Sequence, residues 1–206
     1  MADILTLQEA ITSLYERAVV GGTATSTLRL RDLAAYCVQQ LELRGLEGTE
    51  TEVALPGGGR EKQWDVAWHY QGKYRAAISL KSILKNLSGT VPNRIDDMIG
   101  EVANAQMYSP EIALGYLMVF NTANDKWSRK HGATWCELLR QRLGRLAGRK
   151  APSWTFGTIE AFAIAEVDFS AGPELKTMET DVEAMFDRLV EQVRSRNPSL
   201  LEGDGA

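Results

Sequence analysis

The stretch Ile112–Phe120 (IALGYLMVF) constrains the fold more than any other part of the sequence. It is an uninterrupted apolar run, which is typical of a central β-strand that is covered on both faces. It is too short to cross a membrane, which takes roughly 20 apolar residues. We therefore expect this strand to lie at the centre of a sheet with helices on both sides.

The elements around this strand follow from periodicity and turn signals. Thr6 and Glu9 form a capping box that begins a first helix, and Gly45 ends a second. A β-meander follows, and Pro92 marks the first turn of a third helix. The predicted helices are 7–18, 27–43, 93–108, 127–148 and 177–196, and the predicted strands are 51–55, 64–70, 74–79, 112–121 and one or two within 154–169.

This order predicts the α/β class, with a mixed sheet flanked by helices. No repeat or linker divides the 206 residues, so we expect a single domain spanning 1–206. Within it, 1–48 would supply the N-terminal helices, 49–121 the core of the site, and 122–206 the elements that complete the sheet.

Charge is unevenly distributed along a chain whose net charge is −4. Residues 60–94 carry seven Lys or Arg and two acids, residues 122–151 carry eight and two, and the last 55 residues carry eleven acids and four bases. Solvated helix faces explain this pattern, and so does a basic groove on an acidic scaffold that would steer a polyanion.

The expected location is the cytoplasm. The N-terminal sequence lacks the basic and apolar blocks of a signal peptide, and no run is long enough to span a membrane. Cys37 and Cys136 have neither a CxxC spacing nor neighbouring histidines, so we expect reduced core residues rather than a disulfide or zinc site.

Chemistry-bearing residues gather around the meander. Asp65 lies near the start of one strand and Lys81 at the end of the next, so a hairpin should make them neighbours. A simple ion pair is one interpretation of this pair. The other is a centre for phosphodiester hydrolysis, in which carboxylates hold Mg²⁺ and a lysine orients the attacking water. Ser79 occupies the position where a second carboxylate would be expected, and Glu101, on an otherwise apolar helix face, offers a replacement.

These residues resemble a known superfamily. Asp65, then Ser79-Leu80-Lys81, then Arg94 after twelve residues and Glu101 after six more, form a pattern similar to that of the PD-(D/E)xK nucleases. The closest resemblance is to the type II restriction endonucleases that recognise CCGG or CCNGG sites. In that branch the strand motif reads Ser-x-Lys and the second acid comes from the next helix.

The resemblance implies a restriction-endonuclease-like fold and a Mg²⁺-dependent, site-specific cleavage of double-stranded DNA. By it, Asp65, Glu101 and the Leu80 carbonyl would bind the metal, Ser79 would belong to the catalytic set, and Lys81 would position the water. A palindromic target would require a homodimer or tetramer. A cognate DNA methyltransferase would be expected genetically rather than as a stable complex.

Contacts with DNA are assigned to two segments. Arg94 and Asp96 fit the base-reading pattern of the branch, and an arginine with an aspartate suits G·C pairs. Lys85 and Asn86 are either a solvated loop or further DNA contacts. The arginine-rich segment 140–150 and Glu42 have no assigned role.

Two other functions stay open. One is a DNA-binding or assembly module that keeps the nuclease fold without catalysis, and the other is a less specific repair or antiphage nuclease. Serine hydrolysis is disfavoured, because no G-x-S-x-G elbow surrounds Ser79. The PGGGR segment (56–60) lacks the GK[ST] ending of a phosphate loop and is interpreted as a flexible hairpin turn, which could still approach the DNA backbone with Arg60 and Lys62.

Overall fold

The computed structural model describes residues 4–22, 27–152 and 154–202. The predicted domain bounds of 1 and 206 therefore lie outside the described residues. The helices are α1 (Leu7–Tyr15), α2 (Arg31–Glu42), α3 (Leu87–Tyr108), α4 (Trp135–Leu146), α5 (Glu179–Arg196) and α6 (Ser199–Glu202), with a π-helical turn at Glu16–Val20 and 3₁₀ turns at Thr27–Leu30 and Thr122–Asn124. The strands are β1 (Glu50–Leu55), β2 (Lys62–Tyr70), β3 (Lys73–Ile83), β4 (Ala113–Asn121), β5 (Trp127–Ser128), β6 (Ala133–Thr134), β7 (Ala161–Asp168) and β8 (Glu174–Leu175).

Six strands form one mixed sheet in the order β1-β2-β3-β4-β7-β8. Strands β1, β2 and β3 make the antiparallel meander, β3, β4 and β7 run parallel, and β8 closes the edge antiparallel to β7. All nine residues of β4 are buried. The predicted class is confirmed: the protein is α/β, with a mixed sheet flanked by helices, an arrangement consistent with the restriction-endonuclease-like fold.

Helices cover both faces of the sheet. The first face packs against α1, α2 and α5, and the second against α3 and α4. Cys37 and Cys136 are buried free thiols, one in each of these cores. Among the described residues, no helix combines the length and apolar character that a membrane crossing requires.

Two predicted boundaries around the site are wrong. Strand β3 continues two residues beyond Lys81, because it stays paired with β4 as far as Ile83. Helix α3 begins at Leu87 rather than near Pro92, which lies inside it. Asn86 adopts a left-handed conformation (φ 51°) and its carbonyl accepts hydrogen bonds from the next turn, so the helix starts there.

The predicted helix 127–148 is also too long at its start. Residues 127–134 form the β5–β6 hairpin, and α4 begins at Trp135. A second capping box, between Thr134 and Glu137, fixes that start. The basic side chains 126–130 therefore lie outside the helix.

A buried ionic cluster ties the far end of the sheet to α5. The Glu160 carboxylate accepts hydrogen bonds from Arg149 at 3.0 Å, from Arg196 at 2.8 Å and from the Leu114 amide at 2.6 Å. The Glu160 and Arg149 side chains are fully buried. Both guanidinium groups also lie over the Trp154 ring, at 4.8 and 4.7 Å. This cluster fixes the end of α5 against the start of β4 and β7.

Candidate active site

The candidate site lies where strands β2 and β3 separate. Their pairing ends at Val66 and Ile78, although β2 extends back to Lys62 and β3 on to Ile83. Beyond that point β2 follows β1, and β3 follows β4. The sheet therefore opens into a wedge, whose two arms carry polar residues that face each other.

Asp65 occupies the narrow end of this wedge. Its Oδ2 accepts a hydrogen bond from the Leu80 amide at 2.7 Å and one from the Ser79 hydroxyl at 3.3 Å. The carboxylate thus replaces the backbone acceptor that β2 would otherwise offer. In a β-strand the amide and the carbonyl of one residue point to the same side, so the Leu80 carbonyl is expected on the side of β3 that faces Asp65.

Burial raises the pKa of Asp65, because the charged form loses hydration. The Leu80 hydrogen bond and the charge of Lys81 offset this only in part. The nearby Glu101 carboxylate adds to the increase. Asp65 is therefore a carboxylate whose ionised form is poorly compensated in the free protein.

Glu101 enters the wedge from α3, with 14% of its side chain exposed. Its oxygens accept from Lys62 Nζ at 2.8 Å and Tyr116 Oη at 2.8 Å, and they lie 3.2 Å from Lys81 Nζ. Burial alone would raise the pKa of Glu101, but Lys81, Lys62 and Tyr116 together lower it below its ordinary value. The two carboxylates of the site are thus shifted in opposite directions.

The backbone opposite Asp65 is strained. Glu52 in β1 has a φ of 54° and is left out of the β1–β2 ladder at the position facing Asp65. Such a conformation costs a non-glycine residue about 1–2 kcal/mol. In β2, at the same level, Trp64 and Val66 pack on opposite faces of the sheet, although residues two apart in a regular strand share one face. Trp64 then packs edge-on against Tyr116, with ring centroids 6.2 Å apart.

The structure brings together all four predicted catalytic residues, Asp65, Ser79, Lys81 and Glu101. It differs from the expected pairing, because Lys81 makes its ion pair with Glu101 rather than with Asp65. Ser79 is almost fully buried and serves as a small donor to Asp65.

The residues predicted to contact DNA lie in α3 or just before its first residue. Arg94 is not near the first turn of the helix, as expected, but about two turns in, because α3 begins earlier. It is half-buried and donates to Asp97 at 2.9 Å, and its Nε is buried without a hydrogen-bond partner among the described residues. Asp96 is exposed and lines two adjoining surface cavities. Lys85 and Asn86 are exposed at the start of α3.

Three residues were not predicted to contact the carboxylate site. Tyr116 lies within the apolar run, and Lys62 was considered only for contact with the DNA backbone, not as a partner of Glu101. Arg29, from the N-terminal 3₁₀ turn, donates to Ser82 at 3.3 Å. Burial and the charge of Arg94 lower the pKa of Arg29, while Asp65 opposes that decrease. None of the three has a local motif, because each reaches the site through tertiary contacts.

The glycine segment 56–60 connects the antiparallel strands β1 and β2, as the predicted hairpin turn does, but contacts from α3 hold it in place. The Asn104 side chain accepts from the amides of Gly59 and Arg60 and donates to the Arg60 carbonyl at 2.8 Å. A Cβ on Gly57 would lie 2.0 Å from Asn104 Nδ2, so only glycine fits there. The clamped segment lines a surface cavity of about 520 Å³ beside Glu101.

The site offers a small number of oxygen ligands for a Mg²⁺ ion. Magnesium is held in proteins by one or two carboxylates with several waters, and this site offers Asp65, Glu101 and the Leu80 carbonyl. The described residues contain no group of three or more His, Cys, Asp or Glu that is suited to a metal. Burial, and to a smaller extent the charge of Glu101, raises the pKa of Asp65, and a bound divalent cation would favour its ionised form.

Comparison with known proteins found no matching family model, curated protein or solved structure.

Proposed function

We propose that this protein is a Mg²⁺-dependent endonuclease that hydrolyses phosphodiester bonds in double-stranded DNA, of the restriction type. One observation carries the proposal: Asp65, Lys81 and Glu101 come from three different elements and converge where β2 and β3 part. A carboxylate pair beside a lysine, at a place where two neighbouring strands separate, is suited to phosphoryl chemistry, since it combines metal ligands with a fixed positive charge.

In the proposed reaction a water molecule gives up a proton to solvent as its oxygen forms a bond to phosphorus, the bond from phosphorus to the leaving oxygen breaks, and that oxygen takes up a proton from solvent. Bound Mg²⁺ would lower the pKa of water and stabilise charge on the phosphate. Asp65, Glu101 and the Leu80 carbonyl would hold it. The Lys81 ammonium, fixed by Glu101, would hold the attacking water and the phosphate in line.

Sequence specificity is assigned to Arg94 and Asp96, which both line a surface cavity on α3. Arginine donates to guanine and aspartate accepts from cytosine in the major groove. The ion pair between Arg94 and Asp97 would hold the guanidinium in a fixed direction. A two-fold symmetric target then implies at least a homodimer.

The test is incubation of the purified protein with phage DNA and Mg²⁺, followed by sequencing of the ends. Discrete fragments with common ends are expected, whereas a smear would indicate a nuclease without sequence preference. Asp65→Ala and Glu101→Ala should abolish cleavage, while binding to DNA in Ca²⁺ should survive. Full activity in Glu101→Ala would remove Glu101 from the metal site.

A second candidate is a DNA-binding module on a nuclease fold without catalysis. It is favoured by the state of Glu101, whose oxygens already accept from two lysines and a tyrosine. A carboxylate neutralised by the protein itself needs no metal. DNA binding with a strong salt dependence and no cleavage in Mg²⁺ or Mn²⁺ would decide for this module.

A further inference from the structure

Two lysine ammonium groups form ion pairs with the same carboxylate, that of Glu101. Lys62 Nζ lies 2.8 Å from Glu101 Oε1, and Lys81 Nζ lies 3.2 Å from Oε2. Tyr116 donates to Oε2 as well. A metal ion would need at least one of these oxygens, so at least one donor has to leave before Glu101 can act as a ligand.

The three donors differ in how freely they can leave. Tyr116 is fully buried and would lose its partner in the core. Lys81 lies within β3, and 19% of its side chain is exposed. Lys62 is the first residue of β2, and 31% of its side chain is exposed. It also lines the 520 Å³ surface cavity, so its ammonium can move into solvent without leaving a buried group unpaired.

The cavity is a suitable destination for this ammonium when DNA is bound. Arg60 lines it too, from the segment that Asn104 clamps to α3. Lys62 and Arg60 therefore bring two basic side chains to the lining of this cavity, which Asp96, Asp97 and Glu101 also line. Lysine binds phosphate as a compact point charge with rotatable donors, so it can exchange a carboxylate for a phosphate oxygen without moving its backbone.

We propose that Lys62 is a displaceable counter-ion: it occupies Glu101 in the free protein, and it transfers to a backbone phosphate of the DNA when the metal ion and DNA bind. This inference rests on the proposed function and adds to it. Lys62 would delay metal binding until DNA is present, since the phosphate that draws Lys62 away also frees the Glu101 oxygen. Lys62 would thus couple metal binding at Glu101 to the binding of DNA.

The experiment measures Mn²⁺ binding by electron paramagnetic resonance in the protein without DNA. Removing a half-buried ion pair of this kind should tighten Mn²⁺ binding by about five- to tenfold in Lys62→Met. The same variant should bind a mixed-sequence duplex in Ca²⁺ with a salt slope shallower by about one, because one phosphate contact is lost.

Two further variants control the result. Lys62→Arg keeps the charge and should retain the wild-type Mn²⁺ affinity and salt slope, which also covers the case in which Lys62→Met folds poorly. Lys73→Met removes an exposed lysine at the far end of the β2–β3 hairpin, 4.0 Å from Glu111, and should change neither quantity.

The outcomes separate this inference from the proposed function. If the wild type cuts DNA and binds Mn²⁺, but Lys62→Met leaves both the Mn²⁺ affinity and the salt slope unchanged, the role of Lys62 is wrong and the nuclease stands. If neither the wild type nor any Lys62 variant binds Mn²⁺ or cuts DNA, both proposals are wrong.

Discussion

Glu101→Gln should destabilise the protein in a manner that depends on pH. The carboxylate is 14% exposed, and its two lysine partners are 31% and 19% exposed. Exposed ion pairs contribute about 0–1 kcal/mol, and removing one partner of a fully buried pair costs about 3–5 kcal/mol. This pair lies between those limits, so we expect a loss of about 1–3 kcal/mol at pH 7. Glutamine keeps the shape but offers one acceptor oxygen in place of two.

The lowered pKa of Glu101 determines how its contribution to stability changes with pH. The pKa of Glu101 is lowered in the folded protein, so as pH falls below the ordinary value of 4.5 the unfolded chain takes up the proton first. The contribution of Glu101 is therefore complete above that value and disappears as pH passes through the lowered pKa. Urea unfolding of wild type and Glu101→Gln from pH 7 downward should show two free energies of unfolding that converge. A difference that stays constant over this range, or no difference at pH 7, would show that the ionised cluster does not form.

Three other substitutions test separate parts of the structure. Asp65→Asn should abolish cleavage. It should also stabilise the free protein by about 0.5–2 kcal/mol at pH 7, because the raised pKa of Asp65 means that its ionised form is unfavourable in the folded state. In urea unfolding this increase in the free energy of unfolding should disappear below the ordinary pKa of 3.8. Glu160→Gln should cost about 3–5 kcal/mol in urea unfolding, since two buried guanidinium groups lose their carboxylate, whereas Glu174→Gln, at an exposed ion pair, should change stability by less than about 0.5 kcal/mol. Arg94→Ala should cost about 1–3 kcal/mol of discrimination at one base pair in competition binding; uniform weakening on every sequence with a shallower salt slope would instead identify a phosphate contact.

The central strand and the meander could be predicted because their signals are local. Nine consecutive buried residues leave an apolar run in the sequence, and alternation with turn residues leaves a meander. The start of α3 could not be predicted in this way. A proline at position 92 is a stronger local signal than the left-handed Asn86, whose backbone conformation no sequence pattern shows.

The predicted carboxylates and lysine do meet, because hairpin pairing and helix spacing place them. The hydrogen-bond and ion-pair partners of these residues depend on tertiary contacts, which the spacing of residues along the sequence does not give. Lys62 is 39 positions from Glu101, and its contact arises only because the β2–β3 ladder opens early and the Asn104 clamp holds the preceding segment against α3. No sequence pattern predicts the Arg149–Glu160–Arg196 cluster either, since its two arginines come from separate parts of the chain.

The hydrogen bond from the Leu80 amide to Asp65 has a spectroscopic consequence. Within a regular sheet the exchange of an amide proton with solvent reports the opening of backbone pairs. Here the acceptor is a side chain, so the exchange rate and chemical shift of this one amide follow the charge and position of the Asp65 carboxylate. A ¹⁵N-labelled sample titrated with Ca²⁺ or with acid would therefore report on the candidate ligand through a backbone resonance of its neighbour. No substitution within the site would be needed.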